Sequence, residues 1–327
     1  MRVLVTGSAG HLGEALMRMA PGAELAAVGM DIKPSDVTTH VGSISDRGAV
    51  RRAMAGAEAV LHTATLHKPH VATHSAEDFV ETNVLGTLIL LEEAVAAGVR
   101  AFVFTSTTSA FGDAMRPPQD APAAWVSEDI VPLPRNIYGT TKTAAEDLAH
   151  LAHRRDGLPV IILRTSRFFP EEDDDRNRRA AFTDANLKAN EFLYRRADIE
   201  DVATAHFLAL AEAPKIGFER LIISAPPPFL PADTVALRGD LPIVLARYHP
   251  HYAEIYARLG WRMLQGIDRV YDSSRAVRVL GWQPRFDFAA ILAQLAAGEA
   301  PGSALARQIG KKGYHDQVFA DGPYPVA

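Results

Sequence analysis

Tyr138 and Lys142 are the two residues whose types and spacing most directly suggest chemistry. They stand four residues apart at the start of a predicted helix, so both side chains lie on one face of it. A lysine ammonium there can stabilise the phenolate and lower the pKa of the tyrosine, which gives an acid or base usable near neutral pH. The same spacing is common among surface residues, so the surrounding elements must decide between the two interpretations.

Three glycines near the N-terminus form a pattern that can bind phosphate. Gly7, Gly10 and Gly13 follow a short aliphatic run that begins after Arg2, and they lead directly into a helix rich in Ala, Leu and Met. The first glycine allows a sharp turn, the second leaves room for a phosphate at the helix N-terminus, and the third allows close packing of helix and strand. The stretch predicts a strand, a pyrophosphate-binding turn and a helix.

Asp31 ends a second aliphatic run and stands eighteen residues after Gly13. A carboxylate at this distance can accept hydrogen bonds from the hydroxyls of an adenosine ribose, and it repels a 2′-phosphate. The position therefore favours NAD over NADP. Lys33 stands close enough to weaken that preference, unless it is an ordinary solvated surface lysine.

The following elements alternate between buried strands and amphipathic helices, which predicts an α/β fold. Strand 59–65 ends in small residues, and strand 101–108 ends in hydroxyl groups. Helix 78–97 contains Asn83, which is either exposed or braces the loop after the preceding strand. A further strand is predicted at 160–164, another at 218–224 and a third at 243–247. We predict that the charged run 171–179 is a solvated, mobile loop. Arg167 precedes this run and could bind a carboxylate or phosphate.

Composition excludes several classes of function. The 327 residues carry 34 basic and 39 acidic side chains without a basic block, so nucleic-acid binding has no electrostatic support. No apolar run approaches the roughly 20 residues that span a bilayer, so we expect no membrane association and a cytoplasmic location. The absence of cysteine excludes disulfides and thiolate metal sites.

His67, His70 and His74 are the candidates for a metal site, because the last two have the spacing of a zinc-binding helix. No third ligand follows at a suitable spacing, and Pro69 predicts a loop at this point. We therefore expect solvated loop histidines and no metal. His67 follows the strand end closely enough to face a substrate.

In combination these motifs resemble the extended short-chain dehydrogenase/reductase family, in its NAD-dependent epimerase/dehydratase group. The glycine turn, Asp31, Asn83, the strand end at 105–112 and the Tyr138–Lys142 pair occur in family order. Stretches 201–203 and 272–284 resemble the family's motifs in the second half. The resemblance implies a doubly wound parallel-sheet Rossmann domain in residues 1–165, to which segments near 195–224 and 262–271 return. A smaller mixed substrate domain and a tail then occupy residues 166–327.

The resemblance also implies roles for individual residues. Tyr138 is the acid/base, Lys142 lowers its pKa and binds the nicotinamide ribose, and Thr107 hydrogen-bonds the reacting oxygen, with Thr108 as the second choice. The implied substrate contacts are His67, Thr108 and Arg167. The implied NAD contacts are Gly7, Gly10, His11, Leu12, Gly13, Asp31, Ile32, Ser43, Ile44, Thr63, Ala64, Thr65, Asn83, Tyr138 and Lys142.

Three functions remain open at this stage. The first is an NAD-dependent dehydrogenase acting on a sugar, a sugar acid or a related polyol, and the second is an epimerase of UDP-glucose 4-epimerase type that retains its NAD. The third is a non-catalytic NAD-binding scaffold. Thr165-Ser166 stands where sugar-nucleotide epimerases usually have Asn-Pro, which favours the dehydrogenase, and Thr108-Ser109 replaces the Asp-Glu pair of dehydratases. The resemblance further implies a homodimer through helices 78–97 and 138–153.

Overall fold

Parallel strands form the central sheet of this computed structural model, which describes residues 1–313, 315 and 319. Its strands are β1 Arg2–Thr6, β2 Ala26–Asp31, β3 His40–Val41, β4 Ala59–His62, β5 Ala101–Thr107, β7 Val160–Thr165 and β8 Phe218–Ile223, while β6 Ala124–Val126 and β9 Arg269–Tyr271 lie outside it. The spatial order is β3-β2-β1-β4-β5-β7-β8, so the winding direction changes between β1 and β4. This order confirms the doubly wound α/β fold.

Helices cover both faces of the sheet and supply the two apolar layers that bury it. They are α1 His11–Met19, α2 Arg47–Met54, α3 Ala76–Phe79, α4 Gly86–Ala96, α5 Ile137–Asp156, α6 Arg176–Ala181, α7 Asp184–Glu191, α8 Ile199–Ile216, α9 Leu241–Tyr248, α10 Tyr252–Leu259, α11 Ser274–Leu280, α12 Phe288–Ala296 and α13 Ala304–Ile309. One layer involves α1, α8, α11 and α13, and the other involves α2, α4 and α5. Within the described residues, no helix is long and apolar enough to cross a membrane.

A third apolar cluster lies in the second half of the chain, around helices α7, α9, α10 and α12. Next to it, β6 and β9 pair in parallel as a separate two-stranded sheet, with Ala124 opposite Arg269. The chain therefore joins the loop before α5 to a segment almost 150 residues later. β8 extends the main sheet as its last strand, whereas β9 does not enter it. The division into two domains stays a prediction.

The strand predicted at 243–247 is wrong, because this stretch lies in α9. Pro242 stands in the first helical turn, where its missing N–H is not needed. Leu241, Val244 and Leu245 are buried and follow helical spacing. A short apolar run fits either kind of element, and here burial on one helical face decided.

The prediction of a solvated loop at 171–179 is also wrong. Glu171 and Asp173 are each only 4% exposed. The Asp175 side chain caps α6 by accepting hydrogen bonds from the backbone N–H groups of residues 177 and 178. Glu171 and Asp173 are therefore turned inward, where Arg167 and Arg195 meet Asp173, whereas Glu172 and Asp175 stay exposed.

Candidate active site

The carboxyl ends of β1, β2, β4, β5 and β7 meet at one edge of the sheet, and a cleft of about 1420 Å³ opens there. In doubly wound sheets this edge is where ligands bind. The cleft brings together all the predicted site residues except Asn83 and Lys142: Gly7, Gly10, His11, Leu12, Gly13, Asp31, Ile32, Ser43, Ile44, Thr63, Ala64, Thr65, His67, Thr107, Thr108, Tyr138 and Arg167. Asn83 and Lys142 are each 2% exposed and lie behind its wall.

The glycine turn has the geometry that a pyrophosphate requires. Gly7 has a φ of +72°, and a Cβ built at Gly13 would lie 1.9 Å from the Gly7 carbonyl oxygen, so neither position accepts a side chain. Gly10 stands at the N-cap of α1 and presents no side chain over the first helical N–H groups. The helix N-terminus is therefore open to an anion. These residues fit the dinucleotide that the sequence predicts.

Asp31 stands at the end of β2, beside this turn. Its two carboxylate oxygens accept hydrogen bonds from the backbone N–H groups of Ala9, at 3.0 Å, and Lys33, at 2.8 Å. These bonds fix the carboxylate at the cleft wall, where it can still accept bonds from ribose hydroxyls. The next residue, Ile32, is 65% exposed and borders the cleft.

Asn83 braces the loop that follows β4. Its Oδ1 accepts hydrogen bonds from the Leu66 N–H at 2.8 Å and the Thr65 hydroxyl at 2.9 Å. Its Nδ2 donates to the Leu66 carbonyl at 2.8 Å and to the Thr141 hydroxyl at 3.0 Å. Of the two interpretations of Asn83, the bracing one is confirmed. Asn83 positions the cleft wall rather than lining it.

Tyr138 lies in the first turn of α5, which begins where the Asn136 side chain accepts a hydrogen bond from the Gly139 N–H at 3.0 Å. The tyrosine is 8% exposed and hydrogen-bonds the Thr107 side chain. Burial raises the pKa of Tyr138 to about 12, and the bond to Thr107 lowers it only partly. Thr108 lines the same cleft, but Thr107 is the threonine that contacts the tyrosine.

Lys142 follows one helical turn later and points at the end of β5. Its Nζ donates to the Thr105 carbonyl oxygen at 2.6 Å and lies 4.0 Å from the centre of the Phe104 ring. Burial lowers the pKa of Lys142 to about 7, although the charge of Glu146 opposes the shift. The lysine therefore titrates near neutral pH in the cofactor-free protein.

Glu146 stands another turn along the same face of α5 and ties this face to the sheet. It accepts hydrogen bonds from the Ser106 hydroxyl at 2.6 Å and from Nη2 of Arg164 at 2.7 Å. Arg220 approaches the same carboxylate at 3.2 Å. Glu146 is 1% exposed and Arg164 is 3% exposed, so the charges compensate each other inside the protein.

The histidines after β4 form a group of ring contacts. The His70 ring lies edge-on to those of His67, His74 and His315, at centroid distances of 4.7, 5.1 and 5.8 Å. Burial holds the pKa of His67 well below its usual range, so that ring is neutral at pH 7. The described residues contain no group of three or more His, Asp or Glu side chains that could hold a metal ion.

The guanidinium group of Arg167 is already paired with carboxylates of the protein. Its guanidinium lies 3.0 Å from Asp173 and 3.6 Å from Glu191, and Arg195 contacts the same two carboxylates. The arginine lines the cleft, yet its charge is already compensated. It therefore organises the wall more than it offers a charge to a substrate.

Sequence reasoning missed several arginines that line the cleft, among them Arg116, Arg135 and Arg269. Arg135 pairs with Asp113 at 2.8 Å, and Arg269 pairs with Asp268 at 2.8 Å. Partial burial, followed by the charges of the other two arginines, lowers the pKa of Arg116. Arg135 stands just before the tyrosine motif, but no local signal connects Arg116 with Arg269, which approach each other through the β6–β9 pairing.

Comparisons with known proteins agree with this geometry. The dTDP-glucose 4,6-dehydratase of Streptomyces niveus is 31% identical over 191 residues, which cover 52% of this chain and 55% of that protein. The NAD-dependent glucose-6-phosphate dehydrogenase of Haloferax volcanii is 28% identical over 180 residues, which cover 50% of this chain and 66% of that protein. The matches thus span between about half and two thirds of the length of these curated relatives.

A solved short-chain dehydrogenase/reductase superfamily protein from Agrobacterium tumefaciens, with bound NAD, has the same fold. Its TM-score is 0.65 at 23% identity, and the match covers 94% of this chain and 97% of that one. NAD is the cofactor of the family that these proteins represent. The model of the NAD-dependent epimerase/dehydratase family matches residues 3–218, which include the glycine turn, Asp31, Thr107, Tyr138 and Lys142. The chain belongs to the NAD-dependent epimerase/dehydratase family.

Proposed function

We propose that this protein is an NAD-dependent dehydrogenase that oxidises a hydroxyl-bearing carbon of an anionic sugar, such as a sugar acid or a sugar phosphate. The observation that carries the proposal is the contact of Tyr138 with Thr107 at the cleft, with Lys142 one turn further along α5. This arrangement places a proton acceptor and a second hydroxyl beside the predicted nicotinamide end of the dinucleotide. Such a pair can hold and deprotonate a substrate hydroxyl.

In the proposed reaction the Tyr138 phenolate takes the hydroxyl proton while the Thr107 hydroxyl orients the reacting oxygen. NAD⁺, when bound, supplies the acceptor for the hydride that leaves the same carbon. The products are a carbonyl compound, NADH and a proton held by Tyr138. The lysine assists this step through its charge and need not contact the substrate.

The raised pKa of Tyr138 means that the proposed acid/base role requires additional positive charge. A pKa of about 12 keeps Tyr138 protonated at neutral pH in the cofactor-free protein, so the phenolate needs additional positive charge. Lys142, with a pKa of about 7, can supply it. A phenolate would in turn raise the pKa of the lysine, because opposite charges stabilise each other.

The arginine group favours an anionic substrate. Arg116, Arg135 and Arg269 have two acidic partners, Asp113 and Asp268, so the group retains a net positive charge beside the cleft. A carboxylate or phosphate is the ligand that arginine binds best. The activity named for the Haloferax relative, on a phosphorylated sugar, is consistent with this substrate class.

The epimerase remains the second candidate, because the family includes enzymes of that type and the cleft is large enough for a nucleotide sugar. Thr165-Ser166, in place of the Asn-Pro turn, supports the dehydrogenase. A non-catalytic scaffold is disfavoured by the presence of Thr107, Tyr138 and Lys142 together. The cytoplasmic location stays a prediction.

We also propose a homodimer that pairs helices 78–97 and 138–153 of two copies. Val80, Leu85 and Leu151 are 44% to 48% exposed in a single chain and would be buried in such an interface. Sedimentation equilibrium of the wild-type protein and of Leu151→Glu tests this proposal. A monomeric wild type would contradict it.

A substrate panel tests the proposed activity. The purified protein is first assayed for retained NAD by absorbance and mass spectrometry, and then mixed with NAD⁺ and uronates, sugar phosphates, neutral sugars or UDP-sugars. Free NADH formed with an anionic sugar would support the dehydrogenase. Retained NAD with conversion of a UDP-sugar to its epimer would establish the epimerase instead, and NAD binding without turnover of any compound would favour the scaffold.

A further inference from the structure

The segment after α13 crosses the mouth of the cleft. Lys312 and Gly313 line the same cavity as the glycine turn, although they lie about 300 residues after it. This segment, residues 310–313 with His315, is here termed the strap. Its contacts join two sides of the cofactor cleft, the N-terminus of α1 and the loop after β4. These two sides are here termed the banks.

On one bank the strap holds the pyrophosphate end. The Lys312 N–H donates to Glu171 Oε1 at 3.1 Å, and its ammonium forms an ion pair with Glu14 in the first turn of α1. Glu171 also lies 2.9 Å from Nε2 of His11, the first residue of that helix. Lys312 thus contacts two carboxylates at the helix N-terminus where the pyrophosphate is expected, Glu14 through its ammonium and Glu171 through its backbone N–H.

On the other bank the strap holds the loop after β4. His315 Nε2 donates to the Pro69 carbonyl at 2.9 Å, and its Nδ1 lies 3.3 Å from the Thr73 hydroxyl. The His70 ring packs edge-on against the His315 ring. The three residue steps from Lys312 to His315 span at most about 11 Å, so the strap limits how far the banks can separate.

We propose that the strap closes over the bound dinucleotide, with Lys312 as part of its pyrophosphate site, and that NAD(H) leaves only after the strap detaches. The proposal rests on the family's cofactor and not on the proposed dehydrogenase reaction. Two consequences follow from the contacts. Without the Lys312 side chain, Glu14 faces the pyrophosphate with less compensation, and without His315 the banks are no longer joined.

The release rate of NADH tests the proposal directly. Stopped-flow fluorescence on the full-length protein compares the wild type with Lys312→Ala, His315→Ala and the double variant. We expect release to be about three- to tenfold faster in each single variant, and faster still in the double variant. Lys311→Ala is the matched control, because Lys311 pairs with Glu172 where both side chains are about half exposed. Its rate should stay within about twofold of the wild type.

A second measurement uses the wild-type chain alone. Trypsin cleaves after Lys311 and Lys312, and saturating NADH should slow this cleavage at least about fivefold if the strap is closed over the cofactor. Release rates within about twofold of the wild type in the double variant, or equal cleavage with and without NADH, would overturn the proposal. Neither measurement requires a substrate, so a protein that binds NADH but oxidises no sugar would refute the proposed reaction and leave the strap proposal testable.

Discussion

Burial of Lys142 makes the stability of this protein depend on pH in a way that one substitution removes. The lysine is 2% exposed, and burial lowers its pKa from 10.5 to about 7. At 1.36 kcal/mol per pH unit, this difference corresponds to a penalty of about 5 kcal/mol for keeping the ammonium in the folded protein. The charge of Glu146 is what keeps the penalty from being larger.

The direction of the effect follows from the two pKa values. Below about pH 7 the lysine is protonated in both the folded and the unfolded protein, and the folded protein bears the whole penalty. Between about pH 7 and pH 10.5 the unfolded protein binds more protons, so the contribution of Lys142 to the free energy of unfolding rises with pH. Above that range the lysine is neutral in both states and the penalty disappears.

The variant Lys142→Met isolates this contribution, because it replaces the lysine with an apolar side chain of similar length. Urea denaturation of the cofactor-free protein is measured at about pH 6 and about pH 9.5. The free energy of unfolding of the variant, minus that of the wild type, should fall by about 3 kcal/mol between the two pH values. Lys215→Met is the control, since that side chain is 74% exposed and should show no such change. A Lys142→Met difference that is constant with pH would refute the reasoning.

Three further substitutions test other parts of the site. Asp31→Ala removes the ribose acceptor and should weaken NADH binding about tenfold, and it should reduce the difference in affinity between NADH and NADPH. Fluorescence titrations that give unchanged affinities for both cofactors would contradict the cofactor assignment. Asn83→Ala leaves the Leu66 N–H without its partner and removes one of the two hydrogen bonds to the Leu66 carbonyl, which keeps the Thr65 hydroxyl. We expect the free energy of unfolding to fall by about 2 kcal/mol, so a neutral result in urea would refute the bracing role. Glu146→Gln leaves Arg164 as a poorly compensated buried charge, and we expect a loss of about 3 kcal/mol in urea denaturation. A Glu146→Gln variant as stable as the wild type would mean that the buried pair contributes nothing.

The sequence predicted the parts of the site that are contiguous in the chain. The glycine turn, Asp31 and the Tyr138 helix start each lie within a short motif, and alternation of strands and helices is enough to order them along one sheet edge. The choice of Thr107 at the strand end followed from the family resemblance. These features depend on local spacing, which a single sequence records.

The parts that the sequence did not predict depend on contacts between distant segments. The run 171–179 was predicted to be solvated because the sequence shows its charged residues but not their partners. Asp173 pairs with Arg167 and Arg195, and these residues come together only in the folded chain. The Arg116 and Arg269 side chains approach each other only because β6 pairs with β9. Strap contacts such as His315 with Pro69 join segments almost 250 residues apart, which no spacing rule anticipates.

In the proposed NAD-dependent reaction, Tyr138 performs the acid/base step in this cleft. The most direct test compares the turnover of the wild type and of Tyr138→Phe on the substrate that the panel identifies, together with the dissociation constant of NADH for each protein. We expect turnover to fall by a factor of about 100 or more while the dissociation constant changes by less than about twofold. Unchanged turnover with unchanged NADH binding would contradict the assignment of Tyr138 and, with it, the proposed mechanism.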